Sequence, residues 1–128
     1  MADLQVALFA RVSAAVEHTR VYWGTVPQGK ARPYVRMNTI SDPRPEHLTG
    51  YDSARTTRVQ VDVFADTYAE ARELSEAIIA AVANPATIKG IKFGRTKAQG
   101  PRDLGEDVDG VGYIHRLSLD LLAEHSLA

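Results

Sequence analysis

The sequence contains no cysteine, so disulfide bonds and thiolate metal sites are both excluded. It also lacks any apolar run approaching the ~20 residues that a membrane-spanning helix needs. Asp3 precedes the first apolar stretch, where a signal peptide has lysines, and we therefore expect no secretion signal. These absences favour folding inside a cell. The 128 residues are the length of one domain, which we expect to span 1–128.

The chain as a whole also lacks a large excess of either positive or negative residues. The formal net charge is −1 at pH 7, so no global field attracts nucleic acid or a membrane surface. The distribution is nevertheless uneven. Residues 1–58 contain eight Lys and Arg against five Asp and Glu, whereas residues 59–128 contain seven against eleven. Within the second part, the acid-free basic stretch 89–102 is followed at once by the acidic segment 103–109.

No group of residues has the spacing of a catalytic or metal site. The histidines lie in four different local contexts: His18, His47, His115 and His125. No serine stands in a nucleophile-elbow context, and the glycines at 24 and 29 are too sparse to cradle a phosphate. The stretch 107–110 lacks the third oxygen ligand and the later glutamate of a calcium loop. We therefore expect no catalytic residue, no cofactor and no metal.

Two other kinds of protein remain as alternatives. The basic stretch 89–102 is compatible with a small nucleic-acid-binding α+β module, which would bind DNA with a steep salt dependence. Phe93 is the only aromatic ring within that stretch, however, and a stacking platform uses several rings, so we do not favour this alternative. A small enzyme or ligand-binding domain would instead show a deep pocket lined with ionisable groups.

The stretch 53–82 predicts a strand that runs directly into a helix. Valines alternate with polar residues over 59–63, which is the period of a strand with one buried face. Thr67 with Glu70 three residues later is the capping-box pattern of a helix start. Apolar residues then recur at helical spacing: Ala71, Leu74, Ala77, Ile78, Ala81 and Val82. A one-faced strand and a one-faced helix joined so closely must pack against each other.

The remaining segments predict one more helix and four more strands around this unit. The helix covers 3–17, and the strands cover 20–23, 33–40, 88–97 and 113–122. Segments 41–53 and 100–112 are predicted to be long connections, and 123–128 a frayed tail. The fold class is therefore α+β, with an antiparallel sheet of about four to five strands and two helices packed on one face. Val61, Leu74, Ile78 and Leu119 are expected in the core.

Several of these segments resemble phage and prophage tail-completion proteins. The stretch RVY at 20–22 is followed by Pro27, Gly29 and PYV at 33–35, and VQVDVFA at 59–65 runs into YAEA at 68–71. The leading helix and the last alternating strand also fall where that family has them. The resemblance implies a small α+β protein that terminates the tail tube or joins tail to head, without catalysis or cofactor. It implies a ring, usually of six copies.

The partners and location implied by the resemblance are those of a virion part. They are further copies of this chain, tail-tube proteins and head–tail connector proteins, with no membrane. The place is the virion tail or head–tail junction, and the bacterial host cytoplasm during assembly. A head–tail adaptor, or neck protein, remains an alternative to a tail terminator.

A ring needs one surface patch of each copy to meet a different patch of the next. We expect the oppositely charged residues of 89–109 and the loop 41–53 to supply such contacts, with apolar anchors contributing most of the affinity. The interface residues expected on this basis are Phe9, Trp23, Tyr34, Arg44, Tyr51, Lys92, Lys97, Glu106, Asp107 and Asp109.

Overall fold

The computed structural model describes residues 3–17, 19–43, 46–47, 50–51 and 54–127, with the backbone alone at 46–47 and 50–51. The elements occur in the order α1 (Leu4–Ala15), β1 (Arg20–Trp23), β2 (Tyr34–Ser41), β3 (Glu46–His47), β4 (Gly50–Tyr51), β5 (Arg55–Ala65), α2 (Tyr68–Val82), β6 (Ala86–Ile88), β7 (Ile91–Phe93), β8 (Lys97–Asp103), β9 (Glu106–Val108) and β10 (Gly112–Leu127). Neither described helix combines the length and the apolar character needed to cross a membrane.

The two longest strands, β5 and β10, form the centre of the sheet. They pair antiparallel from His115 opposite Ala65 to His125 opposite Arg55. The alternating patterns predicted for both strands are confirmed, because every second residue of each faces the core. β5 runs directly into α2, and the Thr67 hydroxyl accepts a hydrogen bond from the backbone N–H of Glu70 at 3.2 Å. The predicted strand-to-helix unit therefore forms as expected.

The prediction of four to five strands is wrong, because the sheet has eight. β1, β2, β5, β10, β7 and β6 lie side by side in that order, and β8 and β9 also pair with β10. The difference arises because β10 is 16 residues long, so that β9, β8 and β7 pair one after another along its second edge.

The sheet is also not wholly antiparallel. β1 and β2 pair in parallel, with Arg20 opposite Tyr34. A parallel pair needs a connection that carries the chain back to the end where it started. The connection at 24–33 is long enough to do so, whereas a two-residue hairpin would have forced the antiparallel direction.

Two segments predicted to be irregular are strands. The predicted turn 100–112 contains the end of β8 and all of β9, and the predicted frayed tail contains the end of β10. Gly100 and Pro101 are tolerated in β8 because it has β10 on one side and no other partner strand among the described residues, and because a bulge falls there. The tail is held by pairing with β5 and β7, which extends to Leu127.

Two further predicted segments are divided differently in the structure. The predicted strand 88–97 is interrupted by a turn at 89–90, which separates β6 from β7. The expected interruption at Gly90 in this segment is thus a full turn. Inside the predicted connection 41–53, β3 and β4 pair antiparallel, with two residues in each strand. Strand pairing is non-local, so the local sequence did not indicate this second pairing.

Both helices pack on one face of the sheet, as predicted, and enclose a single core. Ile78 of α2, Val61 of β5 and Leu119 of β10 are fully buried there, whereas Leu74 is only partly buried against it. α1 contributes Leu8 and other buried side chains to the same cluster. No described helix covers the opposite face, which we call the helix-free face.

Candidate assembly surfaces

Charged and aromatic side chains stand in rows on the helix-free face. Side chains directly opposite one another on paired strands share a face. The strand registers give four rows: Tyr22, Arg36, Asp62, Ser118 and Arg102; Arg20, Tyr34, Phe64 and Arg116; Asn38, Gln60, Asp120 and Gln99; and Arg58, Leu122 and Lys97. In these rows six cations stand against two carboxylates. The flanking pairs Thr56–Glu124 and Lys92–Ser126 lie on the same side and add one charge of each sign, so the helix-free face has a net charge of +4.

Asp62 lies at the centre of this face and is fully buried by its neighbours. Its carboxylate accepts hydrogen bonds from Arg36 Nη2 at 3.1 Å, from Arg116 Nε at 3.3 Å and from Gln60 Nε2 at 3.1 and 3.2 Å. A buried carboxylate is tolerated only when charged hydrogen bonds replace its hydration. Two arginines around one carboxylate leave one positive charge uncompensated.

The same two-to-one arrangement recurs around Asp120. Arg58 Nη2 donates to Asp120 Oδ2 at 2.6 Å, and Arg102 Nη2 lies 3.8 Å from Oδ1. The Arg58 side chain is 39% exposed and the Arg102 side chain 60% exposed. These guanidinium groups therefore keep donors directed towards solvent.

Aromatic rings lie beside the arginines on this face. The Tyr34 and Phe64 rings stack with centroids 4.8 Å apart, and the guanidinium groups of Arg36 and Arg116 lie 5.4 and 5.6 Å from the Phe64 centroid. Arg36 Nε and the fully buried Ser118 Oγ have no hydrogen-bond partner in the described part of the chain. The face thus offers apolar area and surplus positive charge together.

Residues 103–114 form a second surface, which we call the acidic arm. β9 pairs with Gly112, Tyr113 and Ile114 of β10, whereas β5 begins to pair with β10 only at His115. The acidic arm therefore extends past the end of the central strand pair. It carries four acidic residues and no Lys or Arg, for a net charge of −4.

The acidic arm has a packed conformation, but its carboxylates have no cation partner among the described residues. The Tyr113 ring packs directly over Gly105, where a Cβ would lie 2.6 Å from Tyr113 Oη, and its centroid is 4.7 Å from that of His115. Among the described residues, no cation forms an ion pair with Glu106, Asp107 or Asp109. Three large apolar side chains of the arm are exposed: Leu104, Val111 and Tyr113.

The interface residues expected from the sequence are separated by the structure. Phe9 and Trp23 are partly buried against the core, so little of either is available as an anchor. Tyr34 lies on the helix-free face, stacked on Phe64. Arg44 lies outside the described residues, as does the side chain of Tyr51.

The described charged residues among those expectations fall on two different surfaces. Lys97 belongs to the helix-free face, and Lys92, opposite Ser126, lies on the same side of the sheet at β7. Glu106, Asp107 and Asp109 come together on the acidic arm. None of these five groups forms an ion pair within the described part of the chain.

A polar cleft of about 430 Å³ lies near the end of β10, on the side of the sheet that faces α1. Inside it, the Thr57 hydroxyl donates to Asp42 at 2.8 Å and lies 2.8 Å from His125 Nε2. Since the only hydroxyl proton is directed to Asp42, Nε2 must be the donor to Thr57, and His125 is not placed to act as a base on it. Burial lowers the pKa of His125, and the nearby Arg55 lowers it further, while Asp42 opposes both.

The family model described as "Tail completion protein gp17" matches residues 4–124, which is nearly the whole chain. The chain belongs to this tail completion family. That membership confirms the family resemblance noted in the sequence and gives the protein a structural role in a tail. No curated protein sequence matches the chain.

The fold of the family member described here is similar to that of a chain in a solved structure described as "Virion of native gene transfer agent (GTA) particle". The TM-score is 0.68 with 19% sequence identity, over 96% of this chain and 94% of that chain. At this identity the likeness shows a shared fold alone.

Sequence reasoning missed the helix-free face as a surface. It assigned Arg36, Arg58 and Asp62 to polar strand faces one strand at a time, without knowing which strands were neighbours. The sequence did contain one indication of this face, because polar residues alternate with buried residues in three separate strands. Only the strand order places these polar residues in the same rows.

Proposed function

We propose that this protein completes a phage or prophage tail by forming a homo-oligomeric ring of six copies, at the end of the tail tube or at its joint with the head. The match of the tail completion family over residues 4–124 carries the tail role. The likeness in fold to a chain of a gene transfer agent virion supports a place within the particle. The chain would act as a structural part, without catalysis, after folding in the bacterial host cytoplasm.

The ring is supported by the two surfaces of opposite charge on one chain. A closed ring needs a heterologous contact, in which one patch of each copy meets a different patch on the next. The helix-free face carries net +4 and the acidic arm net −4, so each copy has both halves of such a contact. Contact of the face with another face, or of the arm with another arm, would bring like charges together, which is unfavourable.

Removal of the gene from the phage or prophage that encodes it tests this function. We expect particles that fail at the tail, observed by negative-stain electron microscopy, and restoration by the wild-type gene supplied in trans. A tail terminator predicts tails of uncontrolled length, because nothing stops the tube. A head–tail adaptor predicts tails of normal length that are detached from heads. Normal infectious particles without the gene would refute the tail role.

The copy number has a separate measurement. Six copies of 14.0 kDa give a ring of 84 kDa, which light scattering after gel filtration distinguishes from a monomer. A dimer or an open filament would contradict six-fold closure.

A further inference from the structure

We propose that the acidic arm of one copy docks on the helix-free face of the next, and that this contact closes the ring. This inference rests on the proposed function and identifies the surfaces that it uses. The occupant of the helix-free face is therefore a second copy of this chain.

The first argument is the state of the helix-free face in the single chain. Asp62 and Asp120 each have two arginines near them, so the carboxylates are already satisfied and the surplus guanidinium donors are not. A partner that brings carboxylates would satisfy these guanidinium groups.

The second argument is the state of the acidic arm. Its carboxylates lack cation partners in the described part of the chain, and Leu104, Val111 and Tyr113 are 44%, 55% and 48% exposed. Such a combination of apolar side chains and unpaired charges on a projecting hairpin is typical of a contact surface.

The third argument is geometry. The acidic arm continues the edge of the sheet beyond the end of β5, so it extends away from its own helix-free face. Docking must therefore occur between copies. An arm at one end of the molecule and a receiving face along the sheet form two different patches, which is the requirement for a ring.

The match of chemistry favours the arm over a nucleic acid as the occupant. Both would supply negative charge to the six cations. The stacked rings of Tyr34 and Phe64 and the edge-on ring of Tyr22 give the face apolar area as well. The acidic arm has Leu104 and Tyr113 to cover such rings. A duplex backbone would contribute charge alone, and the bases of a single strand would need open ring faces, whereas the Phe64 ring is already covered by Tyr34, Arg36 and Arg116.

Charge reversal on each surface tests the contact. The arm variant is Glu106→Lys with Asp107→Lys, and the face variant is Arg20→Glu with Lys97→Glu. All four side chains are exposed and none forms an ion pair among the described residues, so each variant is expected to unfold in urea as the wild type does. A matched control reverses two exposed charges on α2, Glu73→Lys with Glu76→Lys.

We expect each surface variant alone to lose the ring, so that the mass by light scattering falls six-fold from 84 to 14 kDa, while the control keeps it. Mixing the arm variant with the face variant is expected to restore 84 kDa. In the mixture, the lysine-substituted arm of the arm variant can dock on the glutamate-substituted face of the face variant. The wild-type arm of the face variant can dock on the wild-type face of the arm variant. The two chains can alternate around a ring because six is an even number of positions. A chain with all four substitutions is also expected to form the ring.

The outcomes separate this contact from the function on which it rests. A ring that persists in both surface variants, or a mixture that stays monomeric, overturns the contact while the gene-removal phenotype still supports the tail role. A wild-type chain that stays at 14 kDa at high concentration also overturns it. Nucleic acid would be the occupant instead if the wild-type chain binds DNA with a steep salt dependence, the face variant loses this binding and the arm variant keeps it. A normal particle without the gene overturns the function itself.

Discussion

Replacing Asp62 by Asn tests the electrostatic account of the helix-free face. Asn is nearly the same size, but it removes the negative charge and turns one acceptor into an NH₂ donor that faces Arg36, Arg116 or Gln60. Hydrogen bonds to a charged group contribute ~1.5–3 kcal/mol each, and breaking a buried ion pair costs ~3–5 kcal/mol. The Arg36 and Arg116 side chains are 30% and 29% exposed, so water compensates part of this loss. We therefore expect Asp62→Asn to lower the free energy of unfolding by about 2–4 kcal/mol.

The measurement is urea denaturation of wild type and variant at pH 7, followed by circular dichroism. Asp66→Asn is the matched control, because Asp66 pairs with Arg32 at 2.6 Å while its side chain is 62% exposed. Exposed pairs contribute ~0–1 kcal/mol, so the control is expected to change stability by less than about 1 kcal/mol. The reasoning is refuted if Asp62→Asn unfolds within about 0.5 kcal/mol of wild type, or if the two substitutions cost the same.

Three further substitutions test other parts of the structure. Burial lowers the pKa of His125, so unfolding takes up a proton as the pH falls below about 6.5, and the free energy of unfolding decreases there. The substitution His125→Gln is expected to reduce this loss of stability. The measurement is the urea midpoint of wild type and variant from pH 8 to pH 5. Ile78→Ala is expected to cost ~2–5 kcal/mol because Ile78 is fully buried, whereas Ile40→Ala, at a 52% exposed site, is expected to cost far less. Gly100 has φ +101 and a Cβ there would lie 2.8 Å from the Ser118 carbonyl oxygen, so Gly100→Ala is expected to lower the melting temperature more than Gly110→Ala, where φ is +79 and the space is open. Equal effects within either substitution pair, or an unchanged pH profile in the His125 variant, would contradict these assignments.

The parts of the fold that the sequence predicted correctly are those specified by local pattern. Alternation of apolar and polar residues determined β5 and β10, and a capping residue with helical spacing determined α2. Each of these signals acts over a few neighbouring residues, so it is visible in one stretch of sequence. The helices on one face then followed, because two one-faced layers have a single way to bury their apolar sides.

The parts that the sequence did not predict depend on contacts between distant segments. β8 contains Gly100 and Pro101, which predict a turn, yet pairing with β10 makes it a strand. Residues 123–127 lie in a strand for the same reason, since β5 pairs with β10 up to His125 and β7 pairs with it up to Leu127. Pairing between strands far apart in the chain overrides local propensity, and a local sequence pattern does not predict which distant strand a segment pairs with.

The candidate site was predicted in part for the same physical reason. Glu106, Asp107 and Asp109 are close in sequence, so their clustering on the acidic arm followed from the charge pattern alone. The cations of the helix-free face come from β1, β2, β5, β8 and β10, and no local feature links them. Aromatic residues expected to be exposed anchors, such as Phe9 and Trp23, instead pack against the core, because a large apolar ring near a core edge is buried when a helix or strand brings it there.

The energetics of the proposed contact bear on how a ring of this kind would assemble. Exposed ion pairs contribute ~0–1 kcal/mol each and are screened by salt, so four carboxylates on four surplus cations cannot by themselves hold two copies together. Their main effect would be to select the partner and fix its register, while burial of Leu104, Val111 and Tyr113 against the aromatic row would supply most of the affinity. The binding free energy of a single contact between two copies is then small. The last copy that joins a ring makes two contacts but loses the translational and rotational entropy of only one molecule, so ring closure stabilises the assembly. A tail tube that presents its own end to each copy would favour closure further, so the ring would form at a lower protein concentration on the tube than in free solution.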